Sequence, residues 1–594
     1  MKTFRRTLSF ALAMCLLLSC AGFTSYEKSD EQTADGSSEY SEGVTIEPYS
    51  KLSFIHSGKA ETPDSVSDCE NLLNEMGREC GGRISILVQY ESGFDRTEQF
   101  LKFQERRSKI RSVRELRQFR QELNAYSLEY HRNLFKSMCD LFSFRGSGNI
   151  QEIRYAPFAY VEGSEASINI SDYLALAESS KILSVAFFSP LQQSEDSNEM
   201  AQLDVSAVTA ASWEQALEVI NFFEPEYTGE GVRVGISEGY NCDTDNENLT
   251  NADITLDEPS HATGTHATLV TSILALMCPD AEFYLSDEGS SLSTENDGCH
   301  LGLQWFIDQQ CDVVNCSFGI SGSSAYSTID ALYDYQIQHH FLSAVVSAGN
   351  TGNYITSPGH AYNAITVGGV TLSTDGRVTH RASSAYQSSG NAAKPTISAM
   401  ACFSVPNIAG SFSGTSIAAP MVTAAAVLLI DKDVHYASYP EEIAAALIAS
   451  AQLTDDYTND YGYVDNEVGS GCLNVETLLY EIDSDWAFDS TTTMSAVVES
   501  YTCRATAGQT IQVGMTLLVP MQNTSACDGI RSYEIWLYKD DVLLARSSSC
   551  DYRTSELIRY TVTESGSYTI KIYRSSPRYY GFMTDYLGVA KQIY

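Results

Sequence analysis

Residues 410–430 read GSFSGTSIAAPMVTAAAVLLI. A turn of small residues opens into an Ala-rich apolar run, which predicts a buried helix with Ser416 in its first turn. Free N–H groups and the dipole at a helix start favour negative charge developing beside that hydroxyl. A Ser there is also an ordinary helix cap, and the string alone leaves both readings open. Upstream, near-continuous apolar runs occur at 232–236, 281–285, 313–316 and 342–347. Such runs, separated by helical stretches, predict a parallel sheet covered on both faces, within an α/β domain over 201–485.

At 594 residues the chain is long enough for several domains, and 43% hydrophobic against 19% charged residues argues against global disorder. The formal charge is −39, which disfavours nucleic acid and a polybasic membrane mode as partners. The acidity is local. Residues 201–500 hold 39 acidic and 5 basic side chains, 71–190 hold 15 and 16, and 501–594 hold 8 and 10. An acidic surface over a cleft predicts, through electrostatic steering, a preference for cationic substrates.

The N-terminus reads as an export signal over 1–20, with Lys2, Arg5 and Arg6 before an apolar run at 8–18. The run ends in Leu17-Leu18-Ser19-Cys20, which resembles a bacterial lipoprotein box and implies lipidation at Cys20. A Ser- and acid-rich tether is expected over 21–70, and no later segment is expected to reach the roughly 18 apolar residues of a membrane helix. Residues 71–200 predict an α+β unit, with strands at 84–90, 152–162 and 182–188 around a charged helical stretch at 96–139. A polar linker follows at 191–200. Alternating runs such as YTIKIY at 568–573 predict a β-sandwich over 486–594. Outside the signal 13 of the 15 cysteines remain, an odd number without any C-x-x-C pair, so at least one thiol is free and no zinc site is indicated. Cys278 and Cys316 lie in apolar contexts that suit buried cysteine.

The string GTSIAAP at 414–420 resembles the nucleophile motif of the subtilisin-like serine peptidases, the subtilases. Other segments extend the resemblance over about 212–480. VSAGN at 346–350 matches the segment carrying the family's oxyanion-hole asparagine, here Asn350. VNCSFG at 314–319 resembles the segment that pairs with substrate backbone, which implies substrate contacts at Ser317, Phe318 and Gly319. SPGHAYNAITVGGV at 357–370 and Lys394-Pro395 resemble the stretches that follow. For the histidine, HATLVTSI at 266–273 fits the family's His-Gly-Thr-x-Val-Ala better than a reading from His261. His266 is therefore the expected base.

The acid departs from the family. VRVGISE at 232–238 aligns with a strand that normally ends in Asp and places Glu238 there, with Asp243 and Asp245 as alternatives. Orienting an imidazole requires a carboxylate rather than Asp in particular. Gly235–Gly239 also satisfies G-x-S-x-G, but the polar loop after it cannot supply the helix that a nucleophile elbow requires. The resemblance implies an exported, bacterial, secreted or cell-surface serine endopeptidase with an α/β subtilisin-like domain. Its partners would be proteins or peptides, it needs no cofactor beyond possible structural calcium, and any membrane contact would run through a lipid anchor. It also implies that the 71–200 unit is a propeptide, removed by a cut between about 190 and 212. The alternative is a subtilase-shaped binding protein without turnover.

Overall fold

The computed structural model describes residues 48–56, 59–79, 83–138, 150–164, 168–188, 210–223, 225–287, 302–319, 326–386, 394–457, 464–483, 488–490, 496–521, 532–547, 554–575 and 585–594. The export signal, Cys20 and the linker at 191–200 lie outside them.

Strands β1 (Leu52–His56), β2 (Lys59–Glu61), β3 (Arg83–Tyr90), β4 (Ile150–Ile153), β5 (Phe158–Ser164) and β6 (Ile182–Phe188) form one sheet in the order β2-β1-β6-β3-β5-β4. Alternation along β3 sorts its two faces. Ile84, Ile86 and Val88 pack with helices α1 (Val66–Glu79) and α4 (Ile170–Ala177), whereas Leu87 faces the next domain. The sheet corrects one expectation, that the tether extends over all of 21–70. Leu52 and Phe54 are buried, β1 pairs in parallel with β6, and Phe54 stacks on Phe187 at 4.6 Å. So short a strand carries little apolar signal; its partner, 133 residues away in sequence, makes it a strand. The charged stretch at 96–139 is two helices, α2 (Glu98–Arg107) and α3 (Val113–Met138). One face of α3, with Leu116, Phe119, Leu123 and Ser127, is buried.

The second sheet has the order β13-β12-β11-β10-β7-β9-β8. Its strands are β7 (Arg233–Ser237), β8 (Asp253–Leu256), β9 (Glu282–Ser286), β10 (Val313–Cys316), β11 (Ser343–Ser347), β12 (Ile365–Leu372) and β13 (Val378–His380), with β14 (Ile397–Met400) beside β12. All pair in parallel except β13. β15 (Cys402–Phe403) and β16 (Phe412–Ser413) form a separate small ladder. The helices are α5 (Trp213–Val219), α6 (Thr265–Met277), α7 (Gln304–Asp308), α8 (Thr328–His340), α9 (Thr415–Lys432), α10 (Pro440–Ser450) and α11 (Val475–Tyr480). Helix α9 is long and apolar enough to cross a membrane, contrary to the expectation above, but 83% of that window is buried inside the fold. Length and composition cannot separate a core helix from a membrane span; packing does.

Beyond it stand two four-stranded antiparallel sheets. One holds β17 (Phe488–Ser490), β19 (Thr510–Leu518), β22 (Ser555–Thr561) and β24 (Asp585–Ile593). The other holds β18 (Ala496–Ala505), β20 (Tyr533–Lys539), β21 (Val542–Arg546) and β23 (Gly566–Arg574). Val513, Ile558 and Val589 of the first share an apolar core with Ile535, Leu537 and Ile570 of the second.

Candidate active site

The chain order around the second sheet reverses at β7 and β10. From β7 it runs outward to β9 and β8, and from β10 the other way to β11 and β12. The crevice beyond the carboxyl ends of such strands is where α/β sheets place their sites. Glu238 follows β7, Ser317 follows β10 and Asn350 lies just after β11. Two helices start at the same crevice, α6 with His266 in its first turn and α9 with Ser416.

Glu238 and His266 are joined. His266 Nδ1 lies 2.7 Å from Glu238 Oε2, with side-chain exposures of 13% and 5%. That bond places the ring proton on Nδ1 and leaves the Nε2 lone pair free. Burial alone would lower the His266 pKa, but the Glu238 carboxylate more than offsets it, so imidazolium persists above the ordinary histidine range. Glu238 Oε1 is buried and has no other hydrogen-bond partner, so this carboxylate serves the imidazole alone among the described residues. Asp243 and Asp245 are exposed on the following loop. His261 pairs instead with Asp287 at 2.7 Å. Ser237, the serine of the G-x-S-x-G string, is fully buried, and no helix follows it.

Ser416 is half-buried in the first turn of α9. Four residues on, Pro420 lies inside the same helix and has no N–H to give the Ser416 carbonyl. The hydroxyl of Ser317 fills that role, donating to the Ser416 carbonyl at 2.8 Å. Ser317 in turn accepts from Asn315 Nδ2 at 2.8 Å, and Asn315 Oδ1 accepts from the Thr423 hydroxyl at 2.9 Å. A buried polar chain thus ties β10 to the turn that presents the nucleophile. The proline of the motif and the serine of the opposite strand form one device.

Asn350 is exposed, and its carboxamide is held from one side. Its Oδ1 accepts from the Thr415 backbone N–H at 3.0 Å and from Arg381 at 3.1 Å. Two donors on Oδ1 fix which end of the amide is nitrogen. Gly414 supplies the space. A Cβ there would lie 3.2 Å from both Asn350 Nδ2 and Ser416 Oγ. The nucleophile oxygen and an amide donor therefore both border the space beside Gly414, where a side chain would crowd them. Arg381 lies in none of the motifs, and the parts that Gly414, Thr415 and Asn315 play within theirs are not legible in the sequence, because they depend on contacts across the fold.

Of the expected substrate contacts, Ser317 turns inward, whereas Phe318 is half-buried and Gly319 exposed. The Ser317 side chain is therefore engaged with the nucleophile turn rather than free to meet a substrate. Thr356 stands between the segments 317–319 and 348–350. Its buried hydroxyl has no partner among the described residues and lies 2.0 Å from where a Gly319 Cβ would be and 3.0 Å from that of Gly349.

Residues 225–471 match the profile of the subtilase family. The chain carries a subtilase domain. Subtilases are serine peptidases, so the domain is a serine-type peptidase acting on protein or peptide substrates. Similar solved structures include the Prenylagaramide maturation protease PagA, at 20% identity over 42% of this chain and 92% of that one, with a TM-score of 0.34. A cold adapted subtilisin-like serine proteinase gives 18% over 45% and 99%, also with a TM-score of 0.34. A lanthipeptide protease gives 16% over 46% and 99%, again at 0.34. Comparison with curated proteins gave no match. Among the described residues, no group of three or more His, Cys, Asp or Glu side chains is placed to hold a metal ion. Eight cysteines there are free and buried, and burial raises the thiol pKa of Cys242 to about 11 and of Cys316 to about 12.

Proposed function

We propose that this chain is an exported serine endopeptidase that cleaves peptide bonds through Glu238, His266 and Ser416 by way of an acyl-enzyme. One observation carries the reading: an imidazole anchored on a buried carboxylate stands at the crevice where Ser416 Oγ and Asn350 Nδ2 approach the same volume. In this scheme His266 Nε2 takes the Ser416 proton as Oγ bonds to the substrate carbonyl carbon. Asn350 Nδ2–H and the Ser416 backbone N–H receive the developing oxyanion. The imidazolium then protonates the leaving amine, and a water deprotonated by His266 releases the acid. Glu238 orients the ring and stabilises its charged form throughout.

Substrate backbone pairs along 317–319 in this reading, Cys20 carries a lipid after export, and no cofactor takes part in the chemistry. The 48–188 unit is propeptide-like, and the C-terminal sheets are read as a β-sandwich. The deciding experiment is labelling with a fluorophosphonate probe. Wild type should label and Ser416→Ala should not; absence of Ser416-dependent labelling in folded protein would refute the peptidase reading. Palmitate incorporation lost in Cys20→Ala would test the anchor separately.

A further inference from the structure

The acidity of the peptidase domain is matched by basic residues in the helical insert of the N-terminal unit. Residues 98–138 hold ten Lys and Arg against five acids, next to a peptidase domain that is strongly acidic. The excess is not all spread over the surface. Asp312, fully buried at the head of β10, accepts from Arg117 at 2.9 and 2.6 Å and meets Arg120 Nε at 3.2 Å. Besides those two side chains, it accepts from the Arg233 backbone N–H. Arg120 also donates to the Ala437 carbonyl at 2.6 Å.

Arg107 is buried more deeply still. It pairs with Glu441 at 2.6 Å, the two side chains being 1% and 2% exposed, and donates to the Ser438 carbonyl at 2.9 Å. Its guanidinium lies over the rings of Phe341 and Tyr439 in the peptidase domain and of Tyr586 in the C-terminal sheets, at 4.3, 4.1 and 5.3 Å. Around these cations, Phe94, Phe100, Phe103, Leu116, Phe119 and Leu123 belong to the same apolar core as β7 and α9.

A segment meant to leave after one cut should dock through a surface that tolerates water on both sides. This one does not. Its departure would open the apolar core shared with Phe94, Phe100, Phe103, Leu116, Phe119 and Leu123 to water, and would take from Asp312 and Glu441 the cations packed against them. We infer that the N-terminal unit is not released on maturation: residues 48–188 remain as a permanent, non-covalently held part of the peptidase after any cut in the linker. The partner that this face of the peptidase domain takes is its own severed N-terminal segment.

The test keeps this separate from the peptidase reading. In full-length Ser416→Ala, residues 191–200 are replaced by the recognition sequence of an unrelated site-specific protease, and the purified protein is cut with it. The two fragments should elute together in size exclusion at the mass of the uncut chain and appear as a 1:1 complex in native mass spectrometry. Elution of the N-terminal fragment alone, with the remainder still folded by circular dichroism, would overturn the inference. Arg117→Ala removes one of the two cations on Asp312 and should speed exchange of the cut fragment, against labelled fragment, at least tenfold. Unchanged exchange would count against the role given to the buried charges. Cutting here is external, so neither outcome depends on whether Ser416 is active.

Discussion

Glu238 is one methylene longer than the aspartate usual at its position, and the structure absorbs the difference without losing the 2.7 Å contact to His266. Replacing it with Gln should keep the shape but remove the charge that stabilises imidazolium. We expect turnover to fall by roughly 10³–10⁴. The sign on the acid limb also follows. The His266 pKa is held up by Glu238, and activity needs the neutral ring, so the limb of kcat/KM should move to lower pH in the variant. A pH–rate profile would show it. Arg381 is a positioning residue in the same sense, since it holds Asn350 Oδ1 at 3.1 Å and the Ser413 hydroxyl at 2.8 Å. Arg381→Ala should lower kcat about tenfold, the worth of one charge-assisted hydrogen bond, with KM little changed. A fall confined to KM would place Arg381 in substrate binding instead. For Asn350→Ala the expected loss is roughly 10²–10³, a figure taken from subtilisin itself and not from this geometry.

Between elements, the seam of α3 with α8 is lined by histidines. His131 donates from Nδ1 to the Ser127 carbonyl at 2.8 Å and accepts at Nε2 from Tyr335 at 2.9 Å, while His340 bridges Asn124 and Ser127. His339 stacks on Tyr335 with centroids 3.9 Å apart. Burial lowers the pKa of His131 to about 3, of His339 to about 4 and of His340 well below its ordinary value. The nearby Asp95 favours the charged form of His339, and Arg120 opposes that of His340. All three are therefore neutral when docked and take protons when freed. Their contribution is complete above about pH 6.5 and is lost as pH falls toward 4. Asp334, also on α8, is raised by burial to about 7 and acts on global stability with the opposite sign. It faces Tyr326, Tyr362 and Asn363 rather than α3, so a local readout separates the two effects. Protection factors of the amides in 113–138, corrected for the intrinsic pH dependence of exchange, should fall between pH 7 and 5; equal protection at both would refute the histidine account. At the nucleophile turn, Ser317→Ala leaves the Ser416 carbonyl without its donor and should cost about 1–3 kcal/mol in chemical denaturation.

Across the whole molecule, the three units meet on α10 and the turn before it. Glu441 pairs with Arg107 from the N-terminal side, while a Cβ at Gly588 of β24 would lie 2.1 Å from the Glu441 carbonyl oxygen. At the other end of α10, Gln512 donates to the carbonyls of Ala449 and Ala451 at 2.8 and 2.9 Å. That bond set gives the carbonyls at the end of the helix donor partners they cannot find within it. Gly588→Ala should push β24 off α10 and destabilise by about 1–3 kcal/mol, seen as a lower thermal midpoint with intact active-site labelling at 25 °C.

Much of this was legible residue by residue. The apolar runs became β7, β9, β10 and β11, because strands buried on both faces need no partner in view to announce themselves. The motif residues Ser416, His266, Glu238 and Asn350 were readable because chemistry restricts the residue types at a reacting centre. The strand β1, the burial of α9 and the inward turn of Ser317 were not readable, since each is decided by what lies opposite. Sequence by itself determined the parallel sheet, the order acid, base and nucleophile, and the concentration of negative charge in the peptidase domain. Only the tertiary structure decided where the cations of the N-terminal helices go. Composition counts charges, but the cost of a buried carboxylate depends on the groups within a few ångströms, and those groups come from segments up to 334 residues apart.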